Sequence, residues 1–165
     1  MLLTVWLSMI LMRIYMNLEQ EIKQNNFDNE QQKAHINILY TASWVSLRSA
    51  KMLKPLNISI QQFNILRILR GLHPKPATVK LLTERMIDKT SNASRLVEKL
   101  KQKGLVEREA SIGDRRCVEV RITPMGLKVL EQASQLMRKS IEQTFAGFSD
   151  KEAVELNHLL DKLRG

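Results

Sequence analysis

The sequence predicts a mainly α-helical chain with a small β-hairpin wing, a winged helix-turn-helix lying between flanking helices. Three observations lead to this prediction. Residues 85–123 follow the order helix, turn, helix, strand, basic turn and returning strand. Apolar residues at helical spacing precede and follow that stretch. The chain has 165 residues, 44% of them hydrophobic, which is enough for one domain with its own core.

The second helix of this stretch is predicted over residues 90–102. Its apolar residues recur at i, i+3, i+4 and i+7, which places them on one helical face: Ala93, Leu96, Val97 and Leu100. Gly104 is positioned to end the helix. The residues left to point away from the apolar face are Ser91, Asn92, Ser94, Arg95 and Lys99. Short hydroxyl and amide side chains beside an arginine suit the base edges of a DNA major groove.

Two strands follow, predicted over residues 105–108 and 117–123. Apolar and polar residues alternate in the second strand, with Val118, Val120 and Ile122 on one face. The turn between the strands, residues 111–116, contains a glycine and the adjacent Arg115 and Arg116. An exposed tip of this kind suits a narrow DNA minor groove, whose negative potential attracts arginine.

In these motifs the chain resembles the MarR family of bacterial transcription regulators. The resemblance covers nearly the whole chain from about Asn26 onward. The residues that carry it form three groups: Gln62 and Phe63; Ser94 to Val97 with Leu100 and residues 103–106; and Gly113 to Arg116 with Val120, Thr123 and Gly126. The resemblance implies a homodimer that binds double-stranded DNA at an inverted repeat with half-sites about one helical turn apart.

The resemblance also implies roles for individual residues. Ser91, Asn92, Ser94 and Arg95 would contact bases or lie next to them, whereas Lys89, Lys99 and Lys103 would meet phosphates or solvent. In the wing, Asp114 would hold an arginine extended, and Arg116, with Arg115, would enter the minor groove; a plain turn residue is the alternative for Asp114. Two departures from the family pattern, Ile87-Asp88 in the turn and Asn92-Ala93 at the helix start, leave base preference open.

The flanking helices are predicted over about residues 31–54 and 124–164, and the winged helix over about 59–123. Capping boxes begin helices at Ser59 and Ser149, Thr123-Pro124 begins another, and a short helix is predicted over 78–85. The family resemblance implies that the flanking helices interlock with a second copy. A helical cap within one chain is the alternative.

Charge and cysteine content agree with a cytoplasmic DNA-binding protein. The net charge is +9, and residues 59–123 hold 14 Lys and Arg against 7 Asp and Glu, or +7. Residues 1–58 contribute +2 (6 against 4), and residues 124–165 contribute zero (6 against 6). The single cysteine excludes an intrachain disulfide, which fits a reducing cytosol. A small apolar strand residue is a better interpretation of Cys117 than a redox switch.

Residues 1–16 are apolar and unlike the rest, so residues 17–165 are predicted to form the single MarR-like domain. The apolar run is too short for a membrane-spanning helix and lacks the features of a secretory signal. The preferred interpretation is an upstream start that precedes Met16. A helix extension buried in a dimer comes second, and a membrane-surface anchor third.

The function that the resemblance implies is that of a sequence-specific transcriptional regulator, a homodimeric repressor released by a small molecule. Relatives in the family bind small aromatic acids, and Tyr40, Trp44 and Arg48, at i, i+4 and i+8, are candidates to line such a cleft, although such a trio is more often core packing plus a surface charge. The alternative is a winged-helix protein–protein interaction module without specific DNA binding. Catalysis, cofactors and metals are not expected, because the histidines are scattered and no phosphate loop or catalytic motif is found.

Overall fold

A computed structural model describes residues 17–110 and 118–165 of the chain. The apolar extension and the wing tip, with Asp114, Arg115, Arg116 and Cys117, therefore lie outside the described residues. The chain divides into two compact units, Met1–Val45 and Ser46–Gly165, with the boundary inside one long helix.

The first unit contains two described helical segments, α1 (Leu18–Ile22) and the first part of α2 (Glu30–Leu53). A capping box between Asn17 and Gln20 begins α1. An ion pair joins Lys33 to Glu19 at 2.5 Å, and the Tyr40 hydroxyl donates a hydrogen bond to a Glu21 carboxylate oxygen at 2.7 Å. Sequence analysis did not predict α1, because five residues are too few to show a helical period.

The second unit holds the helix-turn-helix and its surroundings. After α2 come a short 3₁₀ helix (Lys54–Leu56), α3 (Ile60–Leu72), β1 (Ala77–Thr78), α4 (Val79–Arg85), α5 (Ala93–Gln102), β2 (Val106–Ala110), β3 (Val118–Ile122), α6 (Pro124–Thr144) and α7 (Asp150–Arg164). The helices α4 and α5 are the helix-turn-helix, and β2 and β3 are the strands of the wing. The prediction of a mainly α winged helix-turn-helix is confirmed.

The sheet has three strands in the described residues, where two were predicted. Its order is β1-β3-β2, and both pairings are antiparallel. Ala77 pairs with Val120, and Val106 pairs with Ile122. The third strand, β1, has only two residues and is defined by its long-range partner, so no local alternation revealed it.

The core of this unit lies between α3, the helix-turn-helix, the sheet and the first half of α6. Its fully buried side chains come from each of these elements and include Ile65, Leu66, Leu82, Val97, Leu100, Val120 and Leu130. The predicted capping boxes at Ser59 and Ser149 and the N-cap at Thr123 are confirmed. Within the described residues, no helix is both long enough and apolar enough to cross a membrane.

Several predicted boundaries were wrong by one to three residues. The helix predicted from residue 90 begins at Ala93, because residues 88–91 form a turn held by side chains and Asn92 is the N-cap. The short helix begins at Val79, since Thr78 is its N-cap and belongs to β1. Strand β2 runs from Val106 to Ala110 rather than over 105–108, because its register follows β3.

Candidate nucleic-acid interface

Helix α5 is stabilised at both ends by its own sequence. Its N-cap, Asn92, accepts a hydrogen bond from the Arg95 backbone N–H at 3.0 Å. At the other end, Gly104 has a φ of 69°, a left-handed conformation that favours glycine. The Leu105 N–H reaches the Leu100 carbonyl at 3.0 Å, and the Gly104 N–H reaches the Lys101 carbonyl at 2.8 Å, which is a Schellman motif. The helix therefore begins and ends at defined residues, which fixes its polar face.

The turn before α5 is organised by the Asp88 carboxylate. One oxygen accepts hydrogen bonds from the Thr90 N–H at 3.0 Å and the Thr90 hydroxyl at 2.6 Å. The other oxygen accepts from the Ser91 hydroxyl at 2.8 Å. These donors, the Thr90 hydroxyl first, lower the pKa of Asp88 from 3.8 to about 2. The Ile87 N–H donates to the buried Asn64 side chain at 3.1 Å, which fixes the turn to α3.

Replacing Asp88 with asparagine is expected to destabilise the turn in a pH-dependent way. A carboxyl with a depressed pKa stabilises the fold fully above its usual value of 3.8 and loses that contribution as pH falls towards about 2. The melting temperature of Asp88→Asn should thus lie below that of the wild type near neutral pH. The gap should narrow between about pH 4 and 2, as measured by circular dichroism. A gap that does not vary with pH would count against this role.

The structure exposes most of the predicted site residues on α5. Asn92, Ser94, Arg95 and Lys99 are exposed, and Ser91 is half-buried. The oxygen atoms of Ser91 and Asn92 are already used, by the turn and by the helix cap. By contrast, the side chains of Arg95 and Lys99 form no hydrogen bond or ion pair in the part of the chain that the structure describes. These two cations are available to an external anion.

Lys89 and Lys103, the other two lysines predicted to meet phosphates or solvent, both form hydrogen bonds within the described residues. The Lys89 ammonium donates to the Glu84 carbonyl at 2.5 Å. The Lys103 ammonium donates to the Asn57 carbonyl, and to the Gln62 side-chain oxygen at 3.3 Å. Lys103 therefore ties the end of α5 to the start of α3. Sequence analysis left its role open, because these partners lie more than 40 positions away along the chain.

Two arginines connect the hairpin to its surroundings. Arg108 on β2 forms an ion pair with Glu98 on α5 at 3.3 Å. Arg121 on β3 donates to the Pro74 carbonyl at 3.0 Å and pairs with Glu119 at 3.5 Å. These exposed pairs contribute little stability. The Arg108–Glu98 pair links β2 to α5, whereas Arg121 links β3 to the loop after α3.

The hollow at the start of α5 is small, and four of its five lining residues are polar or charged. It has a volume of about 180 Å³ and is lined by Ser91, Asn92, Arg95, Leu96 and Lys99. Among the described residues, no group of three or more His, Cys, Asp or Glu side chains could hold a metal ion. The surface carries donors and positive charge, which suit binding to an anionic polymer with base edges.

Comparison with known proteins gives a consistent family. The sequence model of the MarR family matches residues 56–116. The transcriptional repressor IacR of Pseudomonas putida is 26% identical over 111 residues, which is 67% of this chain and 65% of that protein. The transcriptional repressor MprA of Escherichia coli is 26% identical over 113 residues, which is 68% of this chain and 64% of that protein. The chain thus spans just under two-thirds of the length of these curated relatives.

Solved structures share the fold. A MarR transcription factor from Planctomyces limnophilus has a TM-score of 0.65 at 29% identity, covering 82% of this chain and 98% of that one. The organohalide-sensing regulator RdhR, with 2,4-dichlorophenol bound, has a TM-score of 0.76 at 23% identity, covering 86% and 85%. A mutant MarR from E. coli complexed with operator DNA has a TM-score of 0.71 at 24% identity, covering 84% and 99%.

Proposed function

Because the chain belongs to the MarR family, we propose that it is a sequence-specific transcriptional regulator that binds double-stranded DNA as a homodimer. The observation that carries the proposal is the exposed, polar and basic face of α5, with Arg95 and Lys99 free to bind an anion. The E. coli relative solved with operator DNA supports it. In this proposal, residues 17–165 form a single domain that follows the extension 1–16. Within this domain, residues 59–123 bind DNA, and residues of about 31–54 and 124–164 form the dimer.

In this proposal α5 lies in the major groove, which is about 12 Å wide and admits a helix. Arg95 is the best candidate for a bidentate contact to guanine, since its guanidinium is exposed and uncommitted. Ser94 contacts a base or sits beside one. Asn92 offers its amide N–H₂, because its oxygen caps the helix. In the wing, Asp114 orients an arginine, and Arg115 and Arg116 enter the minor groove.

Substitution of the two key arginines tests the proposal. Arg95→Ala should cost about 1–3 kcal/mol of binding, or roughly 5- to 150-fold in affinity, and should relax preference at one base position. Arg116→Ala should also weaken DNA binding, and both variants should remain dimeric. Fluorescence anisotropy with duplex DNA measures the affinity, and Arg138→Ala, an exposed arginine on α6, is the control. Wild-type binding by both variants would refute the assigned surface.

The homodimer is supported by helices whose apolar residues have no cover within the described chain. Helix α7 has no buried residue, and large apolar side chains near the end of α6 are also exposed. The exposed apolar side chains are Ile141, Phe145 and Phe148 near the end of α6, with Val154, Leu156, Leu159 and Leu163 on α7. Exposed large apolar side chains in this number on two successive helices favour a protein interface. A second copy with the same surface would bury it by two-fold symmetry.

We also propose repression relieved by a small aromatic effector. Both curated relatives are described as repressors, and RdhR is described with a bound chlorophenol. We assign no effector contact to Tyr40, Trp44 and Arg48 on α2, because two of these side chains already have hydrogen-bond partners. The Tyr40 hydroxyl donates to Glu21, and Arg48 donates to Gln143 at 2.8 Å. Release of bound DNA by 2,4-dichlorophenol, followed by anisotropy, tests the proposal; unchanged binding at millimolar concentration would oppose it.

The alternative of a protein–protein module without DNA binding is not favoured. Its relatives by sequence are transcriptional repressors, and a module that has lost DNA binding has no need for uncommitted cations on α5. A cytoplasmic location is part of the proposal, because the DNA target is there.

A further inference from the structure

A second basic surface lies beside α5, outside the face assigned to base contacts. It is an open cleft of about 530 Å³ between the end of α2, the start of α3 and one flank of α5. Four lysines line it, Lys51, Lys54, Lys99 and Lys103. No carboxylate lines it among the described residues, and its apolar lining residues are Leu47, Ala50, Ile58 and Leu96. We call it the lysine cleft. It therefore presents a concentrated positive charge that nothing in its own lining neutralises.

Local sequence explains how the four lysines meet. Lys51 lies in the last turn of α2 and Lys54 begins the 3₁₀ helix three residues later, near a helix C-terminus that favours cations. Lys99 and Lys103 are spaced i, i+4 and share a flank of α5. Lys103 then joins the two parts through its hydrogen bond to the Asn57 carbonyl. That bond joins the end of α5 to the segment between the 3₁₀ helix and α3.

The lysine cleft is continuous with the hollow at the start of α5. Leu96 and Lys99 line both. Lys51, Lys54 and Lys99 are exposed, and none of them forms an ion pair within the described residues. A positive track therefore runs from the start of α5, along its flank, to the end of α2. A duplex seated on α5 would bring one of its phosphate strands alongside this track.

We propose that Lys51 and Lys54 bind backbone phosphates of the same DNA duplex, flanking the bases contacted by α5. The inference rests on the proposed DNA-binding function and extends its footprint to an element outside the winged helix. Lysine suits this role, because it binds phosphate as a point charge without base preference. These contacts raise affinity for every sequence equally and position the protein on the duplex without specifying a base. They also increase the salt dependence of binding.

The test is the salt dependence of DNA binding by the double variant Lys51→Ala/Lys54→Ala. The slope of log K against log salt is negative, and each lost phosphate contact makes it shallower by about 0.9, so loss of two contacts in each of two protomers should make it shallower by roughly 3.6. Relative affinity for matched and mismatched half-sites should stay unchanged. The control is Lys151→Ala/Lys162→Ala, which removes the same charge from exposed positions on α7 and should leave the slope unchanged.

Two outcomes would overturn the inference. In the first, the wild type binds DNA with a steep salt slope and the double variant keeps that slope. In the second, the slope is again unchanged, but 2,4-dichlorophenol or inorganic phosphate releases DNA from the wild type and not from the double variant, which assigns the cleft to a small anion. If the wild type does not bind DNA at all, the proposed function fails with it. Circular dichroism and molecular mass confirm that the variants are folded and assembled as the wild type is.

Discussion

Replacing Leu159 and Leu163 with aspartate is expected to convert the proposed homodimer to a monomer and to lower affinity for an inverted repeat at least about 100-fold. The two side chains are 54% and 66% exposed on α7, a helix without a buried residue. Two charges in an apolar interface would be desolvated without partners, which costs several kcal/mol. A monomer binds one half-site and loses base contacts of about 1–3 kcal/mol each, so two lost contacts of about 1.4 kcal/mol each account for a factor of about 100.

Analytical ultracentrifugation measures the mass and anisotropy measures the affinity. The matched control is Asn157→Asp/His158→Asp, which adds the same two negative charges at exposed polar positions of α7. The control should remain dimeric and bind DNA. If the leucine variant sediments as a dimer, these residues lie outside the interface. If the wild type is itself monomeric, the homodimer is wrong.

Gly126→Ala should destabilise the fold by about 2 kcal/mol. A Cβ built at Gly126 would lie 2.1 Å from the Leu105 carbonyl oxygen and 2.8 Å from the Ile122 Cγ1. The carbonyl belongs to the backbone that closes α5 and leads into β2, so it cannot rotate away. Overpacking costs about 1–3 kcal/mol and sometimes more, whereas alanine in a helix gains only about 1 kcal/mol. The clash therefore outweighs the helix propensity.

Gly71→Ala is the matched control, because the same chemical change should have the opposite sign. Gly71 lies in the last turn of α3, and a Cβ there meets nothing within 4 Å. Removing a glycine at a compatible position should raise stability by about 0.4–1 kcal/mol. Urea unfolding at neutral pH compares both variants with the wild type. Equal changes in stability at the two positions would show that close packing is not the reason why position 126 requires glycine.

Sequence patterns predicted the elements whose signals are local. The capping boxes at Ser59 and Ser149 and the Thr123-Pro124 start need only neighbours within four residues, and all three were confirmed. The apolar stripe of α5 packs as predicted, with Ala93, Val97 and Leu100 buried; Leu96 is half-buried. Such features can be predicted because the helical period is visible within a short stretch of sequence.

Features that depend on distant partners were missed. Strand β1 exists because Ala77 pairs with Val120, and the turn before α5 is fixed by Asn64 on α3. At the candidate site, sequence spacing identified which residues lie off the apolar face of α5, but it did not identify their hydrogen-bond partners. Ser91 donates a hydrogen bond to Asp88, and Lys103 donates one to the Asn57 carbonyl. A hydrogen bond between residues tens of positions apart produces no local periodic pattern from which it could be predicted.

Selection of bound fragments from random double-stranded DNA, at near-physiological salt, tests the central claim most directly. A dimer that presents two copies of α5 should recover an inverted repeat with half-sites about one helical turn, roughly 10 bp, apart. Its affinity should fall about 10³-fold or more between 50 and 200 mM salt if six or more phosphates are contacted. Recovery of no motif, with only salt-sensitive bulk binding, would contradict sequence-specific regulation by this chain.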